Sequence, residues 1–172
     1  MGKNKLMSEL GIEKEEAEEI ISIYQNRVPF VKQLTYNVMD KASARGEIHT
    51  LLGRHCRFPF YESREFGKKG FYKTRKEAID ALGHGNYKRA NTYKALNKLI
   101  QGSAADQTKK AMVDLYEEDG IIPHIQVHDE LNISVENKEQ ALNIKTKMEK
   151  CVDLNVPSKV KYALANSWGE AK

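Results

Sequence analysis

The chain has 172 residues, of which 40% are apolar and 30% charged, an ordinary globular composition with mass enough for a sizeable core. No stretch approaches the roughly 20 apolar residues that span a bilayer, and the opening MGKNKLMSEL has neither a signal-peptide core nor the small hydroxyl residue of a myristoylation site. Two cysteines, Cys56 and Cys151, are too few for a disulfide scaffold and read as buried or idle thiols in a reducing compartment.

The net charge is only +4, but residues 41–110 hold sixteen Lys/Arg against six Asp/Glu. A basic middle of +10 is thus flanked by ends that together carry −6. This division suits a surface for a polyanion, with a solvated mixed face as the other reading.

In chain order, Lys3–Leu10 reads as a short helix stopped by Gly11. Ala17, Ile20, Ile21 and Tyr24 recur at helical spacing over 13–27, and five glutamates crowd the N-terminal end, where the helix dipole favours negative charge. Pro29 opens a third helix through Val31, Leu34, Val38 and Ala42, with Gly46 as its C-cap. Two short strands are predicted at 47–52 and 54–60, around Gly53. Residues 61–87 are loop-rich and contain one helix, Arg75–Leu82, with a capping box from Thr74 to Glu77 and a stop at Gly83.

A long helix is predicted over 88–119, its inner stripe formed by Tyr93, Leu96, Leu99, Ile100, Ala104, Met112 and Leu115. Gly102 inside it marks a place for close approach by another backbone or a ligand. Over 121–135, Ile125, Val127, Leu131, Ile133 and Val135 share one parity, and Gln126, His128, Glu130, Asn132 and Ser134 the other. That pattern predicts a half-buried hairpin with one apolar face and His128-Asp129 at its tip. An amphipathic helix at 138–154 and a strand at 160–164 complete an α+β chain, helices packed on a small antiparallel sheet.

The candidate chemistry centres on Gln126-Val127-His128-Asp129-Glu130-Leu131. An acid at a hairpin tip sits on braced backbone, and Glu130 beside it points to the other face in a regular strand. Carboxylates held this way suit Mg²⁺, which takes one or two protein oxygens together with water and substrate phosphates. A solvated turn acid is the alternative. Asn97 and Gln101, one turn apart, present amides of the kind that read minor-groove acceptors, or simply face solvent. Arg54 and Arg57 in the strand pair, and Lys88, Arg89, Lys94 and Lys98 on the long helix, are candidates for phosphate contacts. Tyr61, Phe71, Tyr72 and Tyr87 interleave with that basic zone, as stacking surfaces or as packing under a loop. His49, His55 and Cys56 lie close together without zinc-site spacing, and there is no Walker loop or GxSxG elbow.

Three runs in order, Thr50-Leu51-Leu52-Gly53-Arg54 followed by Pro59, Asn97 with Gln101-Gly102-Ser103-Ala104-Ala105-Asp106, and Gln126 through Leu131, resemble the C-terminal part of family A DNA polymerases. That family includes bacterial DNA polymerase I and related phage replicases. The resemblance covers nearly the whole chain, with 1–46 similar to a fingers segment and 47–172 to a palm segment that includes the motif C hairpin at 121–135. The tail, Asn166-Ser167-Trp168-Gly169-Glu170, is similar to the family's palm terminus.

The resemblance implies that Asp129 is the motif C carboxylate for catalytic Mg²⁺ and Glu130 its acidic neighbour, so both count as metal-binding and catalytic candidates. It places His128 near the primer terminus, Asn97 and Gln101 against the nascent minor groove, and Arg54 in a DNA-contacting hairpin. Primer-template DNA and deoxynucleoside triphosphates are the implied partners, with no membrane, and the implied compartment is the cytoplasm, that of a host if the chain is phage-encoded.

Two family features have no counterpart in the sequence: the earlier aspartate motif (DYSxxELR-like) and the nucleotide-binding helix. Met1-Gly2 is similar to the residues just after that helix, so the expected partner is an N-terminal polymerase fragment that completes the enzyme. Residues 61–87 are longer than in the bacterial enzyme and closer to phage relatives. The runner-up is a polymerase-derived accessory module that binds DNA and performs no chemistry.

Overall fold

The computed structural model describes residues 3–65 and 67–171; the Met1-Gly2 assignment lies outside them. Contacts divide the chain into two compact units, Met1–Ile48 with His55–Leu96, and His49–Arg54 with Asn97–Lys172.

The first unit opens with α1 (Lys3–Leu10), α2 (Lys14–Arg27) and α3 (Pro29–Arg45). The boundaries follow the sequence signals. Gly11 at φ 64° ends the first turn sequence, Pro29 occupies the first position of α3, and Gly46 caps its end at φ 77°, its N–H donating to Ala42 O, the left-handed close that glycine makes without Cβ strain. Lys3 Nζ meets Glu18 Oε1 at 2.6 Å, linking α1 to α2. Only Leu6, Ala17, Val38 and Ala42 of this region are fully buried, whereas Ile20, Ile23 and Tyr24 on α2 and Phe30, Leu34 and Tyr36 on α3 are exposed.

Strands β1 (Glu47–His49) and β2 (His55–Arg57) form one two-stranded sheet, shorter than the 47–52 and 54–60 strands predicted. The intervening residues close instead as a turn, with Gly53 N–H donating to Thr50 O and Thr50 N–H to Arg54 O, and Gly53 at φ 84°.

Residues 61–87 are more ordered than their composition suggested. β3 (Tyr61–Ser63) pairs antiparallel with β4 (Tyr87–Arg89), in the register Tyr61↔Arg89, Glu62↔Lys88, Ser63↔Tyr87. Between them α4 (Arg75–Leu82) forms as expected: Thr74 Oγ1 accepts from Glu77 N, and Glu77 Oε2 accepts from Lys73 N. The pairing of β4 corrects the start of the long helix. Lys88 and Arg89 lie in a strand, Asn91 turns through the left-handed region at φ 60°, and Thr92–Lys94 make a single 3-10 turn before the helix begins at Ala95. Lys94 therefore precedes the helix.

Arg89 secures this unit. Its Nη1 donates to Phe58 O at 3.0 Å, and its guanidinium stacks 4.9 Å above the Tyr61 ring. The same guanidinium lies over Gly46, where an added Cβ would fall 2.5 Å from Arg89 Cζ.

The second unit holds most of α5 (Ala95–Asp119), the hairpin β5 (Ile125–Val127) and β6 (Glu130–Asn132), and α6 (Lys138–Lys150). Asn137 Oδ1 caps α6 by accepting from Gln140 N, and Gln140 Oε1 accepts from Glu136 N in return. Lys147 bridges α6 to Glu118 and Asp119 at the end of α5, at 2.7 and 2.6 Å. The strand predicted at 160–164 does not form. That segment is irregular, and Val160 N–H is taken by Glu149 Oε1 at 2.8 Å rather than by a neighbouring strand.

The α+β class holds, with the strands among the described residues forming three two-stranded sheets. Among the described residues, no helix is long and apolar enough to cross a membrane.

Gly46→Ala should destabilise the chain by more than Gly85→Ala. Both sit at positive φ (77° and 83°), but nothing lies within 4 Å of a Cβ at Gly85. Gly85→Ala should cost about 1–2 kcal/mol for the left-handed backbone, and Gly46→Ala that amount plus the displacement of Arg89. Urea melts of the two variants measure the difference.

Candidate active site

The hairpin of the second unit closes as a two-residue turn. Val127 pairs with Glu130, Gln126 with Leu131 and Ile125 with Asn132, leaving His128 and Asp129 as the tip. His124 N–H donates to Asn132 O and extends the ladder. At the tip, Gln126 Nε2 donates to His128 O at 2.9 Å, and His128 stands at φ 54°. A non-glycine residue at positive φ is uncommon and is concentrated at functional sites.

The register corrects the expected apolar face. Directly paired residues project from the same side of a ladder, so Val127 shares a side with Glu130, and Ile125 with Asn132. A two-residue turn shifts the odd-numbered positions from one side to the other as the chain returns, and the single parity that seemed to define one apolar face is divided between two. The burial agrees: Ile125 and Val127 are each 41% exposed. The hairpin owes its shape to the ladder and the turn rather than to burial of one side.

Asp129 and Glu130 are both exposed, and among the described residues neither takes part in an ion pair. Two adjacent, unpaired carboxylates on a braced turn fit a hard divalent cation, which prefers oxygen ligands and retains water.

A second constellation joins residues 49–54 to α5. Arg54 Nε donates to Asp106 Oδ1 at 2.7 Å, and its Nη2 donates to Gly102 O at 2.8 Å. Leu51 N–H donates to Ser103 Oγ, which itself donates to Leu99 O. The Asp106 side chain is 6% exposed and that of Arg54 47%. Burial pushes the Asp106 carboxyl up, but the Thr50 hydroxyl, the Arg54 guanidinium with its charge and the Leu52 amide outweigh this and hold it below its ordinary value of 3.8. Asp106 Oδ2 is buried without a hydrogen bond of regular geometry, so the Thr50 and Leu52 groups act on it as nearby dipoles.

At about 100° per residue, Leu99, Gly102, Ser103 and Asp106 cluster on one side of α5 and Asn97 and Gln101 on the other. Both amides are exposed. Farther along their side, Thr108, Ala111 and Leu115 are buried. The same helix face is covered in its C-terminal half and open around Asn97, Gln101 and Ala104. Ile100, expected in the inner stripe, is 56% exposed, because apolar residues are distributed around the whole helix and no one stripe stands out; Tyr93, also expected there and 65% exposed, lies in the 3-10 turn ahead of the helix.

Of the other basic candidates, Arg57, Lys88, Arg89 and Lys94 belong to the first unit and Lys98 to the second. Arg57 is exposed and 3.9 Å from Glu47 Oε2. Arg89 is half-buried in the contacts described above. Lys94 is exposed, its Nζ 5.4 Å from the Tyr93 ring centre. Asp106 stands at the end of the Gln101–Asp106 run with no role evident from spacing alone. The available signal was an acid at helical spacing from Gly102, on the side of α5 that carries Ser103.

Exposed acids on a two-residue turn, a helix face left open around two exposed amides, and exposed basic residues in both units are the groups that comparison with known proteins sets in context. The model for DNA polymerase family A matches residues 1–170. The chain is 38% identical over 156 residues to a DNA-directed DNA polymerase of Pseudomonas phage M6, covering 91% of this chain and 20% of that protein. It is 33% identical over 175 residues to DNA polymerase I of Bacillus caldotenax, covering 97% of this chain and 18% of that one. Among solved structures, the POL domain of Pol1 from M. smegmatis, in complex with DNA primer-template and dNTP, is similar with a TM-score of 0.70 and 29% identity, over 99% of this chain and 28% of that one. The chain belongs to DNA polymerase family A, and it spans about a fifth of the length of these curated relatives.

Asp106→Asn should lower stability by about 1–2 kcal/mol, in the lower range for a hydrogen bond to a charged group because Arg54 is half-exposed. The folded-state carboxyl titrates below its unfolded value. Its contribution is therefore complete above the unfolded value and is lost as pH falls through the folded one. Stability of the wild-type chain should fall on that acid limb, and the Asn variant should show a shallower fall in denaturant melts taken across it.

Proposed function

We propose that the chain is the C-terminal fingers-and-palm part of a DNA-directed DNA polymerase, with 1–46 as the fingers segment and 47–172 as the palm segment. The carrying observation is the family match along the whole chain, joined to a hairpin tip on which Asp129 and Glu130 stand exposed and unpaired. In this reading Asp129 and Glu130 hold Mg²⁺, and His128 lies beside the primer terminus. Bound metal would supply charge stabilisation for nucleotidyl transfer. The chain's own residues fix the acids on a braced turn, present Asn97 and Gln101 to the minor groove of the nascent duplex, and lay Arg54, Arg57 and Lys94 toward its phosphates, whereas Arg89 is engaged within the fold by Phe58 O and the Tyr61 ring. The part of Arg54 left exposed by its bonds to Asp106 and Gly102 remains open to such a contact.

The remaining carboxylate and the triphosphate-binding groups come from an upstream polymerase segment. The exposed apolar residues of α2 and α3 fit such a partner, since Ile20, Ile23, Phe30 and Leu34 face solvent in this chain and an apolar surface of this kind marks a protein contact.

The chain alone should give no primer extension, and joining it to the upstream segment should restore synthesis. In the joined enzyme, Asp129→Asn should reduce single-turnover nucleotide incorporation by several orders of magnitude while DNA binding survives. Glu130→Gln should cost less. If the tip acids are only solvated turn residues, both variants will incorporate nucleotide at nearly the wild-type rate. DNA binding without synthesis in the joined enzyme would point to a non-catalytic accessory module.

Duplex binding should weaken steeply with salt, as phosphate contacts release counterions. Replacing Lys94 or Arg57 by Gln should reduce the slope of log affinity against log salt by about one each, as measured by titrations at several ionic strengths. An unchanged slope would leave these residues outside the DNA contact.

A further inference from the structure

The β3–β4 ladder has two unlike faces. Tyr61, Ser63, Tyr87 and Arg89 are mutually paired positions and so project from one side. That side is packed: Tyr61 meets Tyr87 edge-to-face at 5.9 Å, Arg89 stacks on Tyr61, Arg75 Nε from α4 donates to Tyr87 Oη at 2.7 Å, and Ser63 is buried. The opposite side carries Glu62 and Lys88, themselves paired at 3.5 Å. Tyr72 joins the packed side, being bridged directly to Tyr61, N–H to O in both directions at 2.8 and 2.9 Å. Strand alternation then places Phe60 and Phe71, the neighbours of the bridged pair, away from the packed side. Their rings do meet, with centroids 6.4 Å apart and planes at 44°. Phe60 is 42% exposed and Phe71 62%.

Two phenylalanines held side by side in water require an explanation, and the surrounding charge supplies one. Residues 57–76 contain seven Lys/Arg and two Asp/Glu. Lys69, Lys73 and Lys76 are exposed, and among the described residues none of their ammonium groups meets a carboxylate. A surface with aromatic faces amid unpaired cations complements a ligand with flat apolar rings on a polyanionic backbone. In a duplex the base faces are hidden by stacking, whereas an unpaired strand offers them.

We propose that the open face of the β3–β4 ladder, with Phe60 and Phe71, Lys88 on the same face and the exposed Lys69 and Lys73 flanking Phe71 in sequence, is a stacking platform for an unpaired nucleic-acid strand. The platform lies in residues 60–88 of the first unit. Two adjacent bases stack on the two rings, and the lysines neutralise the phosphates that flank them. An incoming phosphate competes with Glu62 for Lys88.

The test is fluorescence anisotropy of the full chain with a labelled oligothymidylate of about a dozen nucleotides, and with a duplex of the same length. Phe60→Ala and Phe71→Ala should each weaken single-strand binding about tenfold and leave duplex binding unchanged. Phe60→Leu and Phe71→Leu keep the apolar volume and guard against misfolding, checked by thermal melting. They should also lose affinity, because the flat ring is what binds. Lys69→Gln with Lys73→Gln should lower the salt dependence of single-strand binding. Asp129→Asn should leave oligothymidylate binding unaltered, which separates this platform from the polymerase reading. The proposal is overturned if the Leu variants bind as wild type or if single-strand and duplex binding fall together. Self-association of the chain that disappears in the Phe variants would also overturn it, by assigning the patch to a protein contact.

Discussion

A single guanidinium connects two stretches of the second unit that are 52 residues apart in sequence. Arg54 closes the turn at 50–54 and donates to both Gly102 O and Asp106 on α5, while Ser103 receives the Leu51 amide. A carboxylate as buried as Asp106 persists in its charged form only with a partner, so burial and pairing are mutually dependent: removing Arg54 would leave an uncompensated charge, and removing Asp106 would free the turn. This pair also fixes the rotation of α5. With Leu99, Gly102, Ser103 and Asp106 committed to the turn, Asn97 and Gln101 have no choice but to face the other way. Two sequence runs that look like separate motifs are thereby one mechanical element.

Where local chemistry decides a boundary, the sequence was readable. The Gly11 and Gly46 stops, Pro29 at the start of α3 and the Thr74–Glu77 capping box each name their own position, and α1, α3 and α4 fall where these signals put them. Where the boundary depends on a distant strand, the sequence was less informative. Nothing local shows that Tyr87–Arg89 will pair with Tyr61–Ser63, because β4 finds its partner across the whole of α4, and the helical spacing that continued back to Lys88 was a false extension. The 160–164 alternation failed for a related reason: a strand needs an edge, and Val160 is held by a carboxylate instead.

The hairpin shows how one integer governs a functional reading. Its existence and its tip at His128-Asp129 were legible from the turn between two alternating runs. Its sidedness was not, because parity carries across a turn only when the loop length is known. Arginines pose a different difficulty. Arg54 and Arg89 look in sequence like any phosphate-seeking cations, and the structure shows both already engaged, one by a buried acid and one by a carbonyl and an aromatic ring. Spacing cannot distinguish a free guanidinium from one that holds the fold, since both uses exploit the same donor fork.

Exposure separates the surfaces by the kind of partner each can take. The α2–α3 face is apolar and acquires charge mainly from the glutamates of α2, which repel a polyanion and suit another protein surface. The β3–β4 face combines rings with unpaired lysines and suits the opposite kind of ligand. The hairpin tip is different again: β5 is exposed and β6 only half-buried at Leu131 and Asn132, and its shape rests on three residue pairs, the Gln126–His128 bond and a histidine kept in the left-handed region. Backbone strain of this kind persists only where surrounding contacts over-determine it. Here the contacts are few and local, so they fix the turn's geometry but not its surroundings. The two acids consequently arrive shaped but incomplete, and whatever cation they take needs its remaining oxygen ligands from water, from a bound phosphate or from a carboxylate contributed beyond this turn.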